Sequence, residues 1–169
     1  KGIDDWKSRT PNWKDITTES LLVGTDMHRL VESYLKNEDV IYDIILSGEL
    51  FDNLKPELDK IDNIQCTERY LYDSNLRIAG CTDCIGEFEG ERCIIDFKNS
   101  RKPKKEEWIN DYKLQVAAYS KMFEYCTNQK IDLGIILIAN WDGTTSTFKV
   151  NIPDYEDDLI NMLEEYAKL

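Results

Sequence analysis

Two strand-like segments joined by a two-residue turn constrain this chain more than any other feature. "NLRIAGCTDCIGEF" and "ERCIIDFKNS" flank Glu89-Gly90, and glycine there suits the left-handed backbone of a tight hairpin turn. A two-residue turn sets Phe88 against Glu91, and counting back along both strands sets Asp83 opposite Asp96. Directly opposed residues have Cβ atoms about 4.5–5.5 Å apart, where like charges destabilise the pair. Side chains alternate along a strand, so Lys98 projects to the same face as Asp96. Ile94, Ile95 and Phe97 make that segment apolar around Asp96, so a solvated surface ion pair fits it poorly. Carboxylates are rarely buried unless paired, hydrogen-bonded or on a metal. The hairpin therefore predicts two crowded acids and a lysine on one face, with a divalent cation to relieve the repulsion. Mg²⁺ is bound in this way, by one or two carboxylates together with substrate phosphates.

The remaining elements follow from periodicity and turn residues. Thr17 or Thr18 can cap a helix running through "LLVGTDMHRLVESYL" to about Leu35, and "DVIYDIILSGELFDNL" has helical apolar spacing. "QCTERYLY" reads as a strand. After the hairpin, "RKPKKEE" is a loop and "DYKLQVAAYSKMFEYC" a helix. "DLGIILIANWDGTTSTFKV" is a second hairpin turning at Asp142-Gly143, and "YEDDLINMLEEYAKL" a closing helix. The order α, α, β, β, β, α, β, β, α predicts an α/β (mixed α+β) chain with a central mixed sheet flanked by helices. With 169 residues it is one domain: a helical part over about 1–62, a sheet core over about 63–152 and a C-terminal helix over about 153–169.

Composition limits the function classes. A net charge of −12 argues against a nonspecific nucleic-acid binder with a broad basic field, though not against an enzyme using a local basic patch and metal. No apolar run approaches the roughly 20 residues of a membrane span, so no membrane partner is expected. Five cysteines without a secretory signal favour free thiols in a reducing compartment. Cys81-x-x-Cys84 lacks a second Cys/His pair to complete a zinc site, and reads as small hydrophobes on a strand.

Asp83, followed by Asp96-Phe97-Lys98, resembles the signature of the PD-(D/E)XK nucleases in its RecB-like form. Further motifs follow the same pattern in order. "GTDMHRLVE" is similar to the helical motif that carries a histidine and a glutamate, here His28 and Glu32. "TERYLY" is similar to the first-strand glutamate segment, here Glu68. "LQVAAY" is similar to the QxxxY helix, here Gln115 and Tyr119. The run "GCTDCIGEFEGERCIIDFKNSRKPK" with "LQVAAY" is most similar to the mitochondrial genome maintenance exonucleases and their phage and bacterial relatives. A single D…DxK is weak; five ordered motifs are specific.

The resemblance implies a restriction-endonuclease-like core and a metal-dependent deoxyribonuclease acting in DNA replication, recombination or repair. It implies that Asp83 and Asp96 ligate Mg²⁺ or Mn²⁺ with the backbone carbonyl of Phe97, that His28 approaches the same ion, and that Lys98 acts on the attacking water. Glu32 would orient His28 or water. Gln115 and Tyr119, four apart on a helix, suit contact with the hairpin, a phosphate or a base, or a purely structural role. Glu68 is a substrate-side candidate or a solvent-facing strand residue. The cysteine quartet of cluster-bearing relatives is missing, so no iron–sulfur cluster is expected, and no zinc.

Lys98, Arg101, Lys102, Lys104 and Lys105 fall within eight positions, beside Ser100 at the strand end, and suit sequence-independent phosphate contacts. Trp6, Trp13, Trp108 and Trp141 are candidate platforms for unpaired bases, Trp108 foremost because it follows the basic loop. The leading expectation is an exonuclease with single-stranded DNA as partner. A flap- or structure-specific endonuclease on the same core, and an idle DNA-binding subunit, are the alternatives. The residue usage points to a phage or bacterial cytoplasm, with a mitochondrial matrix as the other option.

Overall fold

In the computed structural model, residues 7–168 are described. The expected element order is the observed one. Helices α1 (Trp13–Leu35) and α2 (Ile45–Leu58) precede strands β1 (Ile61–Asp73), β2 (Ile78–Phe88) and β3 (Glu91–Ser100). Helix α3 (Asn110–Thr127) crosses to β4 (Leu133–Asn140), then β5 (Thr145–Asn151) and α4 (Glu156–Tyr166) complete the chain. The sheet order is β1-β2-β3-β4-β5, antiparallel throughout except for the parallel β3–β4 pair that α3 bridges. This is the predicted mixed sheet flanked by helices.

Two apolar layers hold it. Met27, Leu30 and Val31 of α1 and Leu50, Phe51 and Leu54 of α2 bury one face of the sheet against Ile95, Phe97, Ile135 and Leu137. Val116, Ala117, Met122 and Phe123 of α3 and Leu159 of α4 bury the other against Ile85, Ile94, Ile136 and Ile138. A strand covered on both faces reads as a continuous apolar run, which is why "LGIILIA" in β4 lacks alternation. β3 is the middle strand of five and is buried over residues 93–97, which encloses Asp96 between the two apolar layers.

Helix boundaries depart from expectation at two places, each for a local reason. α1 begins at Trp13, not at a Thr17 or Thr18 cap, because the Thr17 hydroxyl donates back to the Trp13 carbonyl at 2.8 Å from inside the helix. α2 begins at Ile45, not at Asp39, because Arg29 holds the preceding backbone open. Its guanidinium donates to the Ile41 carbonyl at 2.8 Å and pairs with Asp43 at 2.9 Å, while Ile44 stays extended. β1 also starts earlier than "QCTERYLY" suggested, at Ile61.

The Glu89-Gly90 turn is the expected two-residue one. Both residues are left-handed, with φ of 52° and 84°, and Phe88 pairs with Glu91.

Candidate active site

The hairpin register runs from Phe88↔Glu91 to Cys84↔Ile95 and stops one pair short of Asp83 and Asp96. In place of ladder pairing, the Asp83 carboxylate reaches across and accepts the Phe97 N–H at 2.8 Å. The β1–β2 ladder lapses at the same level: Thr67 pairs with Cys84 and Arg69 with Thr82, but the Glu68–Asp83 position between them is unpaired. Glu68 there has φ of 45°, a conformation costly for a non-glycine residue. Glu68, Asp83 and Asp96 thus form a row across three strands at which backbone pairing gives way.

The facing of side chains also reverses at this row. On one side of it, Cys84 packs toward α1 and Ile85 toward α3. On the other, Gly80, an odd number of residues from Ile85, faces Tyr119 and Met122 of α3. Cys66 and Leu71 of β1, also an odd number apart, both pack toward α3. Strict alternation forbids this, so the irregularity at Glu68 and Asp83 re-aims both side chains. Strain of this kind gathers where a site needs a particular geometry.

Above the row sits α1. His28 Nδ1 lies 3.6 Å from Asp83 Oδ1 and 3.9 Å from Glu68 Oε1, and its ring meets Phe97 edge-on at 6.4 Å. One donor atom each from His28, Glu68 and Asp83 lie within 4.8 Å of one another, a set fit to hold a metal ion. Asp96, fully buried, lies beside them, with Lys98 Nζ 2.6 Å from its Oδ2. Apart from the Lys98 ammonium, no donor among the described residues meets an Asp96 oxygen. A buried carboxylate whose described partner is a single ammonium keeps acceptor capacity for a divalent cation.

Titration reflects the crowding. Burial, then the Asp96 charge, push the Asp83 carboxyl up to about 6. Burial also raises Asp96 against the pull of Lys98. Burial alone would lower His28, but the Glu68 and Asp83 carboxylates outweigh it and the imidazole ends above its usual 6.5. Glu68 is lowered chiefly by His28.

The other sequence candidates separate into those the fold brings to this centre and those it uses elsewhere. Glu32 lines a cleft of about 550 Å³ with Gly24, His28, Glu68 and Asn99, and pairs with Lys36. Gln115 donates to the Tyr119 hydroxyl at 2.7 Å, and Tyr119 feels the Asp96 and Asp83 charges, its own hydroxyl pushed up to about 12 mainly by burial. Ser100 donates to the Lys102 carbonyl at 2.7 Å and shapes the turn. Arg101 is engaged: it pairs with Glu19, donates to Ser20 at 3.2 Å and lies 4.0 Å over the Trp141 ring. Lys102 is exposed, and Trp108 is 60% exposed with Lys105 5.3 Å from its ring. Trp13 is flanked by Lys7 and Lys14, while Trp6 lies outside the described residues.

Cys84 and Cys93 are fully buried core thiols, but Cys81 is not: it donates to Glu68 Oε2 at 3.5 Å. Sequence reasoning missed two neighbours of the centre. Tyr112 sits 5.4 Å from the Lys98 ammonium. Asn99 accepts from Trp141 at 3.1 Å and lies so near Gly24 that a Cβ there would come within 2.6 Å of its amide nitrogen. The glycine before His28 thus lets α1 approach β3. That signal was visible as "GT" ahead of "DMH", but its partner was not.

No protein-family model matches the chain. It is 27% identical over 156 residues to the human mitochondrial genome maintenance exonuclease 1, covering 84% of this chain and 45% of that protein. The mouse protein of that name is 26% identical over 157 residues, with the same shares. The Xenopus tropicalis one is 33% identical over 92 residues, covering 52% of this chain and 26% of that one. The chain thus spans about half the length, or less, of the curated relatives it matches. Among solved structures, a Eubacterium rectale protein named as a candidate exonuclease superposes with a TM-score of 0.55 at 11% identity, over 86% of this chain and 64% of that one. At that identity the likeness is one of fold. Together these similarities bear out the resemblance to the mitochondrial genome maintenance exonucleases and to an exonuclease fold. Among the described residues no helix is long and apolar enough to cross a membrane.

Proposed function

We propose that this chain is the catalytic domain of a Mg²⁺- or Mn²⁺-dependent DNA exonuclease that hydrolyses phosphodiester bonds at single-stranded ends, in replication, recombination or repair. The observation that carries this reading is the convergence of His28, Glu68 and Asp83 beside a fully buried Asp96 paired with the Lys98 ammonium. His28, Glu68, Asp83 and Asp96 would hold the cation, with the Phe97 carbonyl as a further donor. When bound, the cation supplies Lewis acidity toward a phosphate oxygen and lowers the cost of ionising water.

The chain's own residues do the rest. Lys98, tethered to Asp96, is positioned to orient the attacking water and to offset negative charge at phosphorus. Tyr112 limits the directions the ammonium can take. His28 and Glu68 share charge, so the cluster stays compact as Asp83 gives up its proton. Exposed Lys102 and Trp108, next to the β3 end, are free to meet the phosphates and bases beyond the scissile bond. Arg101 instead ties the loop to α1 and so keeps His28 over the row.

The test is incubation with 5′- and 3′-labelled single strands and with circular single strands, in Mg²⁺, Mn²⁺ and EDTA, alongside Asp96→Ala and Lys98→Ala. Metal-dependent loss of linear strands alone, abolished by both substitutions, is expected and gives the polarity. Cut circles would make the enzyme an endonuclease. Binding without any cleavage would leave only a nucleic-acid-binding subunit.

A further inference from the structure

The outer edge of the sheet carries a feature that the catalytic reading does not use. β1 is an edge strand, and two of its tyrosines stand in solvent: Tyr70 is 85% exposed and Tyr72 57%, while Leu71 and Asp73 are buried. Large exposed aromatics grouped on one strand mark an interaction surface. Their position relative to the metal donors is fixed by the register. Tyr70 pairs with Cys81, and the Cys81 thiol touches the Glu68 carboxylate. Paired residues project to the same face, so the Tyr70 ring stands on the side of the sheet where Glu68 meets His28. Tyr70 and Tyr72 lie two residues apart on the regularly paired part of β1, about 7 Å by the rise of a strand.

We propose that the Tyr70–Tyr72 edge is a stacking track for unpaired bases, leading a nucleic-acid strand to or from the candidate centre; this rests on the nuclease reading. Tyr72 is braced for the role, because the Tyr125 ring meets it at 5.6 Å and the Tyr125 hydroxyl bonds Ser74. Arg69 and Arg77, exposed on either side, are in no ion pair among the described residues, unlike Arg29 and Arg101. Free guanidinium groups beside exposed rings suit a phosphate backbone with bases stacked on aromatics. A protein adding a strand to this edge fits it less well. Asn63 and Glu68 are left-handed and the β1 register shifts between Asp62 and Cys66, so a straight partner strand would lose its ladder there.

The experiment compares the parent with Tyr70→Ala, Tyr72→Ala, the double variant, Tyr70→Phe and an Ile45→Ala control, 83% exposed at the start of α2. Two readouts are taken: anisotropy of a labelled single-stranded oligonucleotide in EDTA, and KM and kcat on it in Mg²⁺. Each alanine change is expected to weaken binding and raise KM by about 5- to 100-fold, at near-unchanged kcat, as the loss of one stacked base implies. Tyr70→Phe keeps the ring and should behave as the parent, as should Ile45→Ala. A parent that cleaves while the double variant binds and cleaves identically overturns the track and leaves the nuclease reading intact. A parent that binds through these tyrosines yet never cleaves overturns the nuclease reading and keeps the track. A parent that neither binds nor cleaves sinks both. A change in sedimentation of the double variant without any change in binding would assign the edge to chain–chain contact and refute the proposal.

Discussion

Replacing Asp83 by asparagine should stabilise the metal-free protein at neutral pH. The Asp83 carboxyl titrates at about 6 in the folded chain against its ordinary 3.8, because it is buried beside Asp96. The folded state therefore binds that proton more tightly than the unfolded state does. The stability this contributes is complete below pH 3.8 and lost as the pH rises through 6. The gap from 3.8 to 6 corresponds to about 3 kcal/mol at 1.36 kcal/mol per pH unit. Asparagine keeps the shape and an oxygen able to accept the Phe97 N–H, but it cannot ionise. Metal-free Asp83→Asn should thus melt about 6–12 °C above the parent at pH 7.5, with the gap closing toward pH 4. The assay is thermal unfolding by circular dichroism in EDTA across that range. Adding Mg²⁺ should raise the parent's melting temperature and leave the variant's nearly unmoved. A variant less stable than the parent at pH 7.5, or a gap independent of pH, would refute the claim that Asp83 is held in an acid-crowded, desolvated site.

Other perturbations separate the roles of nearby residues. Lys98→Ala strands Asp96 as a buried charge, so urea unfolding at pH 7.5 should show a loss of about 3 kcal/mol that shrinks at lower pH as Asp96 takes up a proton; an equal loss at all pH values would contradict the pairing. Arg101→Ala should lower stability by about 1 kcal/mol through the lost Trp141 and Glu19 contacts, whereas Lys102→Ala should leave stability alone and reduce the salt slope of DNA binding by about 1. The opposite assignment of those two effects would mean that Arg101 is the phosphate contact. Gly24→Ala should depress kcat because the new methyl meets the Asn99 amide, and adding Asn99→Ala should restore part of it; a Gly24→Ala protein as active as the parent would remove the close approach as a requirement.

The reach and the limit of sequence reasoning both show in the hairpin. Glycine at 90 and the apolar pattern on either side were enough to set the register, and Phe88 does face Glu91. They could not show that pairing would stop before Asp83, because that depends on β1 and α1, remote in sequence, drawing Asp83 out of the ladder. Glu68 is the clearest case. As a glutamate within a strand it has no local mark of a ligand, and its carboxylate reaches His28 and Asp83 only because its backbone is left-handed at that point. Arg101 shows the reverse. Its place in a basic run suggested phosphate, and only packing reveals that Glu19 and Trp141 engage it.

What the sequence determined by itself is what local chemistry can carry. That includes the order and type of the elements, the tight turn, the placement of Lys98 on the same face as Asp96, and the helical motif that delivers His28. These depend on periods of 2 and 3.6 residues and on residues a few positions apart. What the tertiary structure decided is which remote groups meet. The row of Glu68, Asp83 and Asp96, the enclosure of Asp96 in the middle of five strands, the Gly24–Asn99 approach and the solvent-facing tyrosine edge all arise from the layering of α1, α3 and the sheet. The physical reason is burial: it raises Asp83, seals Asp96 and leaves Tyr70 outside, and burial is a property of the assembled layers, which no short stretch of chain contains.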